Sequence, residues 1–133
     1  MAVMTTGSDQ SVDNPARNAA PAFAADVICV LIFVTVGRRS HAEGVTLAGI
    51  AETAWPFLTG TVTGWLLSRG WRRPTALIPT GVAVWISTIV IGMTLRVITR
   101  AGIAVSFVLV ASAVTALLLL GWRAVRTGLA RRT

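Results

Sequence analysis

Lysine is absent from this 133-residue sequence, and histidine and cysteine each occur once. Without lysine the chain cannot contain the glycine-rich phosphate-binding loop that ends in Lys-Ser or Lys-Thr. With Cys29 alone it cannot form an intramolecular disulfide, and we expect that side chain to be a small buried hydrophobic group. One histidine, His41, falls short of a zinc ligand set, so we expect no metal and no cofactor.

Charged residues are also scarce, at 13% of the chain, whereas 54% of the residues are hydrophobic and the mean hydropathy is +0.73. A soluble domain of this size has too little interior for so many apolar side chains, so many of them must face a solvent other than water. The composition therefore predicts an integral membrane protein whose apolar surface contacts the lipid bilayer.

All twelve cations are arginines, and they give a net charge of +7. A basic chain of this kind would ordinarily suggest nucleic-acid binding. Here the arginines stand at the ends of apolar runs rather than along one solvated face, which is typical of membrane topology signals. We therefore expect no nucleic-acid partner.

Four apolar runs divide the chain, and three of them are 21 to 24 residues long, enough to span a bilayer as helices. The expected spans are residues 22–37, 47–68, 75–98 and 102–122, between a flexible polar tail at 1–21 and a basic tail at 123–133. The connections are short, and short connections join antiparallel neighbours. The predicted fold is an all-α integral membrane four-helix bundle with up-down-up-down topology.

The arginines also predict an orientation. Eight of them fall on the side of the two tails and the second loop, and four fall on the other side. Because cytoplasmic segments carry the excess of arginine, we expect a multi-pass protein of the cell (plasma) membrane with both termini in the cytoplasm.

Asp26 lies about one turn into the first run, near the predicted cytoplasmic face. A carboxylate at this depth costs a few kcal/mol unless it is paired, hydrated or protonated. It could accept a proton or a cation, or it could be structural, capping the helix or pairing with Arg69 or Arg123 at the same face. The sequence favours the structural interpretation slightly, because the position is close to a helix end.

Glu52 begins the membrane part of the second run, four residues before Pro56, which cannot donate a hydrogen bond to the Glu52 carbonyl. Either this region forms a polar pocket, or Glu52 neutralises Arg38 or Arg96 across the bundle. In both cases we expect Glu52 to face protein rather than lipid. The same run contains Gly60-Thr-Val-Thr-Gly64, a GxxxG pattern that permits close helix approach within the bundle or between protomers.

The third run carries one stripe of small and polar residues that includes Trp85 and Arg96. Four other tryptophans lie near the ends of runs, where interfacial aromatic belts are expected, namely Trp55, Trp65, Trp71 and Trp122. Trp85 lies instead at mid-membrane, so its indole N–H needs a partner in the bundle or lines a hydrated cavity. Packing is the favoured interpretation.

The loop after the first run contains Arg38, Arg39, His41 and Glu43, the densest group of ionisable residues in the chain. His41 and Glu43 lack the Cys partners that a zinc deaminase needs, and a serine next to a histidine in sequence does not make a catalytic triad. Asp26 and Arg38 are twelve residues apart, roughly 18 Å along a helix. We therefore expect Asp26 and this loop to lie at opposite ends of the bundle.

Short motifs along most of the chain resemble domain of unknown function family 3054, a group of bacterial and archaeal membrane proteins. The motifs are Asp26, Gly37-Arg38-Arg39-Ser40-His41, Pro56-Phe57-Leu58, Gly64-Trp65, Trp85, Gly92-Met93-Thr94-Leu95-Arg96, Ser106-Phe107 and Gly121-Trp122-Arg123. The resemblance covers about Asp26–Arg126. It implies a small multi-spanning protein and carries no assigned activity.

No catalytic constellation is evident, so we expect no enzyme. The first hypothesis is a homodimeric transporter or channel for a small solute or ion, with the path lined by Asp26, Glu52, Trp85 and Arg96. The alternative is a non-catalytic membrane subunit or assembly factor that docks to a larger membrane complex through the GxxxG pattern and the Trp85 stripe. A membrane enzyme that uses the loop at 38–43 on a lipid phosphate is less favoured, because no acid–base pair accompanies the arginines.

Overall fold

The computed structural model describes residues 15–40, 45–99 and 105–132, and within these ranges the chain is helical and contains no strand. Four long helices confirm the all-α prediction. They are α1 (Pro15–Ser40), α2 (Leu47–Ser68), α3 (Val82–Ile98) and α4 (Val105–Arg132). A 3-10 turn at Gly70–Arg72 and a wider turn at Leu77–Gly81 join α2 to α3.

The four helices form a ring in which each contacts two neighbours: α1 lies against α2 and α4, and α3 lies against the same two helices. The contact between α2 and α3 is the most extensive. This is the arrangement expected of an up-down-up-down bundle, in which consecutive helices are antiparallel neighbours.

The ends of α2 have clear local causes. Its N-cap is Thr46, whose hydroxyl accepts a hydrogen bond from the Gly49 backbone N–H at 3.0 Å. At the other end Arg69 adopts the left-handed conformation, with φ 52°, and its N–H bonds to carbonyls of the last turn. The observed bounds of α2 are those expected from the sequence.

The other three helices differ from the predicted bounds. The first begins at Pro15 and ends at Ser40, so it extends into the expected N-terminal tail. The third begins at Val82, after the turn that contains a cis Ile78–Pro79 peptide bond. The described part of the fourth, Val105–Arg132, continues through the expected C-terminal tail.

Three of the described helices are long and apolar enough to cross a membrane, over Arg17–Arg39, Leu77–Ile98 and Val105–Leu129. The second helix is 22 residues long but is not among them. It is less apolar because glycine, threonine and Glu52 replace aliphatic residues along it. The sequence predicted four spanning helices, and length and composition support three.

The GxxxG pattern is used inside the bundle, between α2 and α3. A Cβ added to Gly60 would lie 2.5 Å from the Ser87 carbonyl oxygen, and one added to Gly64 would lie 2.7 Å from Val84 Cα. Only glycine permits this separation of the two backbones. A hydrogen bond of 2.8 Å between the buried hydroxyls of Thr61 and Thr88 joins the same two helices.

Candidate functional site: a buried ion pair at one end of the bundle

Asp26 and Arg123 form a fully buried ion pair between α1 and α4, 97 positions apart in the chain. Arg123 Nη2 lies 2.7 Å from Asp26 Oδ2, and Nη1 lies 2.8 Å from Oδ1. The pair is therefore bidentate, the geometry in which a planar guanidinium best matches a carboxylate. Of the two partners that the sequence allowed for Asp26, the structure selects Arg123 and not Arg69.

Two indole N–H groups complete the surroundings of the carboxylate. Trp65 Nε1, on α2, donates to Asp26 Oδ2 at 2.7 Å. Trp122 Nε1, on α4, donates to Asp26 Oδ1 at 2.9 Å. The sequence placed both tryptophans near the ends of apolar runs, where an interfacial belt is expected, and it identified no partner for their indole N–H groups. The available signal was the presence of two tryptophans at the same end of the bundle as an acid within a membrane segment.

Each oxygen of Asp26 thus accepts two hydrogen bonds, one from Arg123 and one from an indole. A carboxylate has about four lone-pair positions, so this one is saturated. Because the side chain is also fully buried, it has neither the access nor the free lone pair to bind a cation or take a substrate proton in this conformation. The arrangement works as a clamp between helices.

The remaining donors of Arg123 extend the clamp to the connection between α2 and α3. Arg123 Nε donates to the Pro74 carbonyl at 3.1 Å, and Nη1 also donates to the Leu119 carbonyl at 3.0 Å. The guanidinium stacks on the Trp122 ring, 4.5 Å from its centroid. The sequence placed Arg123 at the start of the basic C-terminal tail and also offered it as a partner for Asp26. In the structure its charge is buried in that pair.

At the opposite end of the bundle, Arg38 is half-buried and donates to the Thr53 hydroxyl at 2.9 Å. Its guanidinium lies against Gly49, where a Cβ would be 2.5 Å from Nη2. Arg39 is exposed. His41 lies outside the described residues. The structure therefore places Asp26 and Arg38 at different ends of the bundle, as the helical spacing predicted.

Glu52 is exposed, in the first turns of α2. The expectation that it faces protein was wrong for the described chain, because the face of α2 that packs on α3 is occupied by residues such as Phe57, Gly60 and Gly64. Arg38, one of its two expected partners, bonds instead to the neighbouring Thr53.

Trp85 and Arg96 take part in contacts between α3 and α4. Trp85 is half-buried, and its Nε1 donates to the Ser112 carbonyl at 3.1 Å. The Arg96 guanidinium lies 4.9 Å from the centroid of the Phe107 ring. Both contacts are within the chain, so these two candidates belong to the packing of the bundle. Trp85 packs, like Trp122, against the hydrophobic cluster that contains Trp65.

No group of three or more histidine, cysteine or acidic side chains that could hold a metal ion is found in the described ranges. Cys29 is half-buried, and its Sγ lies 3.6 Å from the Leu118 carbonyl. Among the predicted site residues in the described ranges, Asp26 alone is paired with another buried charge, that of Arg123.

Comparison with known proteins identifies a family. A family model described as a protein of unknown function (DUF3054) matches residues 23–126. No curated protein and no solved structure matches the chain. The matched range includes Asp26, Trp65, Trp122 and Arg123, and so contains the whole clamp. The chain belongs to the DUF3054 family.

Proposed function

We propose that the protein is a small transporter or channel of the cell membrane, and that it works as a homodimer in which the exposed face of α2 lines a path between two protomers. That face is formed by Glu52, Trp55 and Thr59, all exposed, with Thr63 half-exposed on the next turn. Offsets of three and seven residues place the first three side chains on one side of a helix.

The observation that carries the proposal is the exposed carboxylate of Glu52. It follows Leu47 by five residues, roughly 8 Å along the helix axis. With α2 in the membrane beside the three apolar helices, as the proposal requires, that position of a single protomer would meet lipid. An ionised carboxylate costs about 2.5–3.5 kcal/mol at the centre of a membrane helix and less near its end. A second protomer that covers α2 and encloses water would remove this cost.

A path between protomers is favoured over one through a single bundle because the two interior groups proposed to line such a path, Asp26 and Trp85, already have partners. Asp26 is saturated by Arg123 and two indoles, and Trp85 bonds to the Ser112 carbonyl. The alternative, a subunit that docks to a larger complex, relied on the GxxxG pattern and the Trp85 stripe. Gly60 and Gly64 contact α3 of the same chain, so the GxxxG part of that docking face is already occupied.

The proposal contains no catalytic step. It also includes the orientation, with both termini in the cytoplasm, because the exposed arginines Arg69, Arg72 and Arg73 lie at the end of the bundle that holds Asp26.

The flux test uses the full chain in proteoliposomes, with proton flux followed by an enclosed pH-sensitive dye and K⁺ flux by an ion-selective electrode. We expect Glu52→Gln to lose most of the flux of the original protein. Asp13→Asn removes the same charge from the N-terminal segment and should leave flux unchanged. Equal flux in all three proteins would contradict the role of Glu52.

The dimer test is cysteine cross-linking in membranes, with Cys29 replaced by alanine. Thr59→Cys is expected to give a cross-linked dimer, whereas Val90→Cys, also exposed but on α3, is not. Cross-linking at position 90 alone would place the interface on the wrong helix. Recovery of a stoichiometric larger partner in mild detergent, with no dimer, would favour the docking alternative.

A further inference from the structure

We propose that the arginine turn, residues 69–73, is a binding site for the phosphate headgroup of an anionic phospholipid. The turn joins the end of α2 to the connection before α3 and contains Arg69, Arg72 and Arg73. All three side chains are exposed, and within the described ranges their guanidinium groups have no hydrogen-bond or ion-pair partner. Arginine is the side chain whose planar donors best match phosphate oxygens.

The backbone of the arginine turn is held at both ends by the buried clamp. Gly70 lies against the Trp65 ring, where a Cβ would be 2.5 Å from Cε3. Four residues later the Pro74 carbonyl accepts a hydrogen bond from Arg123 Nε. Trp65 and Arg123 are both bonded to Asp26. The exposed arginines therefore project from a fixed backbone, and less conformational entropy is lost when they bind a ligand.

Internal hydrogen bonds add to this rigidity. The Arg72 N–H donates to the Arg69 carbonyl at 2.9 Å, and the Arg73 N–H donates to the Gly70 carbonyl at 3.2 Å. Arg69 itself has φ 52°, a conformation that turns the chain sharply at the end of α2. The arginine turn is thus a structured loop rather than an extended linker.

No acid of the described chain neutralises these charges. The carboxylate at this end belongs to Asp26, which is fully buried and saturated by Arg123 and two indoles. Glu52 lies toward the other end of α2. An exposed fourth cation, Arg126, follows Arg123 by about one turn of α4. The excess positive charge favours an external anion, and clusters of arginine beside a membrane helix attract anionic lipid headgroups.

Apolar residues next to the turn indicate a lipid rather than a soluble phosphate. Leu67 precedes the turn and is 75% exposed, and Ile78 follows it and is 76% exposed. Trp71, within the turn, is 45% exposed, and tryptophan favours the membrane–water interface. A phospholipid offers a phosphate to the arginines and acyl chains to the flanking aliphatic residues, whereas a free anion uses only the arginines.

The test is lipid retention by the full chain, measured by native mass spectrometry after equilibration in mixed micelles with phosphatidylglycerol or phosphatidylcholine. We expect the protein to retain phosphatidylglycerol, and the double variant Arg72→Gln/Arg73→Gln to bind it about tenfold more weakly. Arg39→Gln, an exposed arginine at the opposite end, is the matched control and should bind normally. Should the double variant fail to fold, Arg72→Gln alone tests the same point.

Three outcomes would overturn the proposal. Equal loss in Arg39→Gln would show that any surface charge suffices. Equal retention of phosphatidylcholine would show that the headgroup charge is not recognised. Displacement of the bound lipid by millimolar inorganic phosphate would show that the site is a general anion site without a lipid component.

Discussion

Replacing Arg123 by glutamine is expected to destabilise the bundle far more than replacing Arg126, the exposed arginine three positions later in the same helix. The reason is that Arg123→Gln leaves the carboxylate of Asp26 fully buried without its counter-ion, with only the two indoles as donors. Removing one partner of a buried ion pair costs about 3–5 kcal/mol, whereas an exposed arginine contributes within about 0.5 kcal/mol.

The double variant Asp26→Asn/Arg123→Gln, compared with the two single variants, measures the interaction free energy between Asp26 and Arg123. Asp26→Asn alone leaves the Arg123 charge buried, although the Pro74 and Leu119 carbonyls still accept from it. The double variant has no buried charge at the site. We therefore expect it to be less destabilised than the sum of the two single variants, by about 2–3 kcal/mol.

The assay is reversible unfolding in detergent or bicelles, followed by circular dichroism, for the original protein, the two single variants, the double variant and Arg126→Gln. Two results would refute the reasoning. One is a loss in Arg123→Gln no greater than that in Arg126→Gln. The other is strict additivity in the double variant, which would mean that Asp26 and Arg123 act independently despite their 2.7 Å separation.

Two further predictions concern helix packing, and both are measured by the same unfolding assay. Gly64→Ala should destabilise the bundle by about 1–3 kcal/mol, because its Cβ would lie 2.7 Å from the Val84 backbone. Gly37→Ala, with open space around it, should be neutral or stabilising by up to about 1 kcal/mol. Equal effects would contradict the close approach of α2 and α3. Thr80→Val should stabilise the bundle by about 1 kcal/mol, because the buried Thr80 hydroxyl has no hydrogen-bond partner among the described residues. Thr88→Val should destabilise it, because the substitution breaks a buried hydroxyl pair. A larger loss of stability in Thr80→Val than in Thr88→Val would show that the Thr80 hydroxyl is hydrogen-bonded in the membrane.

The sequence predicted the helical class and the bounds of α2 because those depend on local signals. The prediction rested on the apolar run alone. The Thr46 cap and the left-handed Arg69, which the structure shows at the two ends of α2, also act within a few positions of the chain. The end of α4 was not predictable in this way. Hydropathy falls at Arg123, yet the helix continues because that charge is neutralised by Asp26 from another helix.

The candidate site was predictable in its composition but not in its pairing. The sequence identified Asp26 as an acid needing a partner, and it offered Arg69 and Arg123 equally. The choice depends on the rotation of α1 and α4 about their axes, which a single sequence does not determine. The same limit explains Glu52, because rotating α2 by about half a turn would exchange its buried and exposed faces.

The Asp26–Arg123 pair joins the first helix to the last, and this fixes when it can form during synthesis. Asp26 enters the membrane long before Arg123 has been made, since 97 positions separate them. Until α4 is inserted, the apolar middle of α1 contains a carboxylate without the counter-ion that it has in the bundle. A chain that stops before Arg123 would keep that charge exposed within the membrane. The clamp therefore cannot form from the first three helices alone, and closure of the bundle at this end waits for α4.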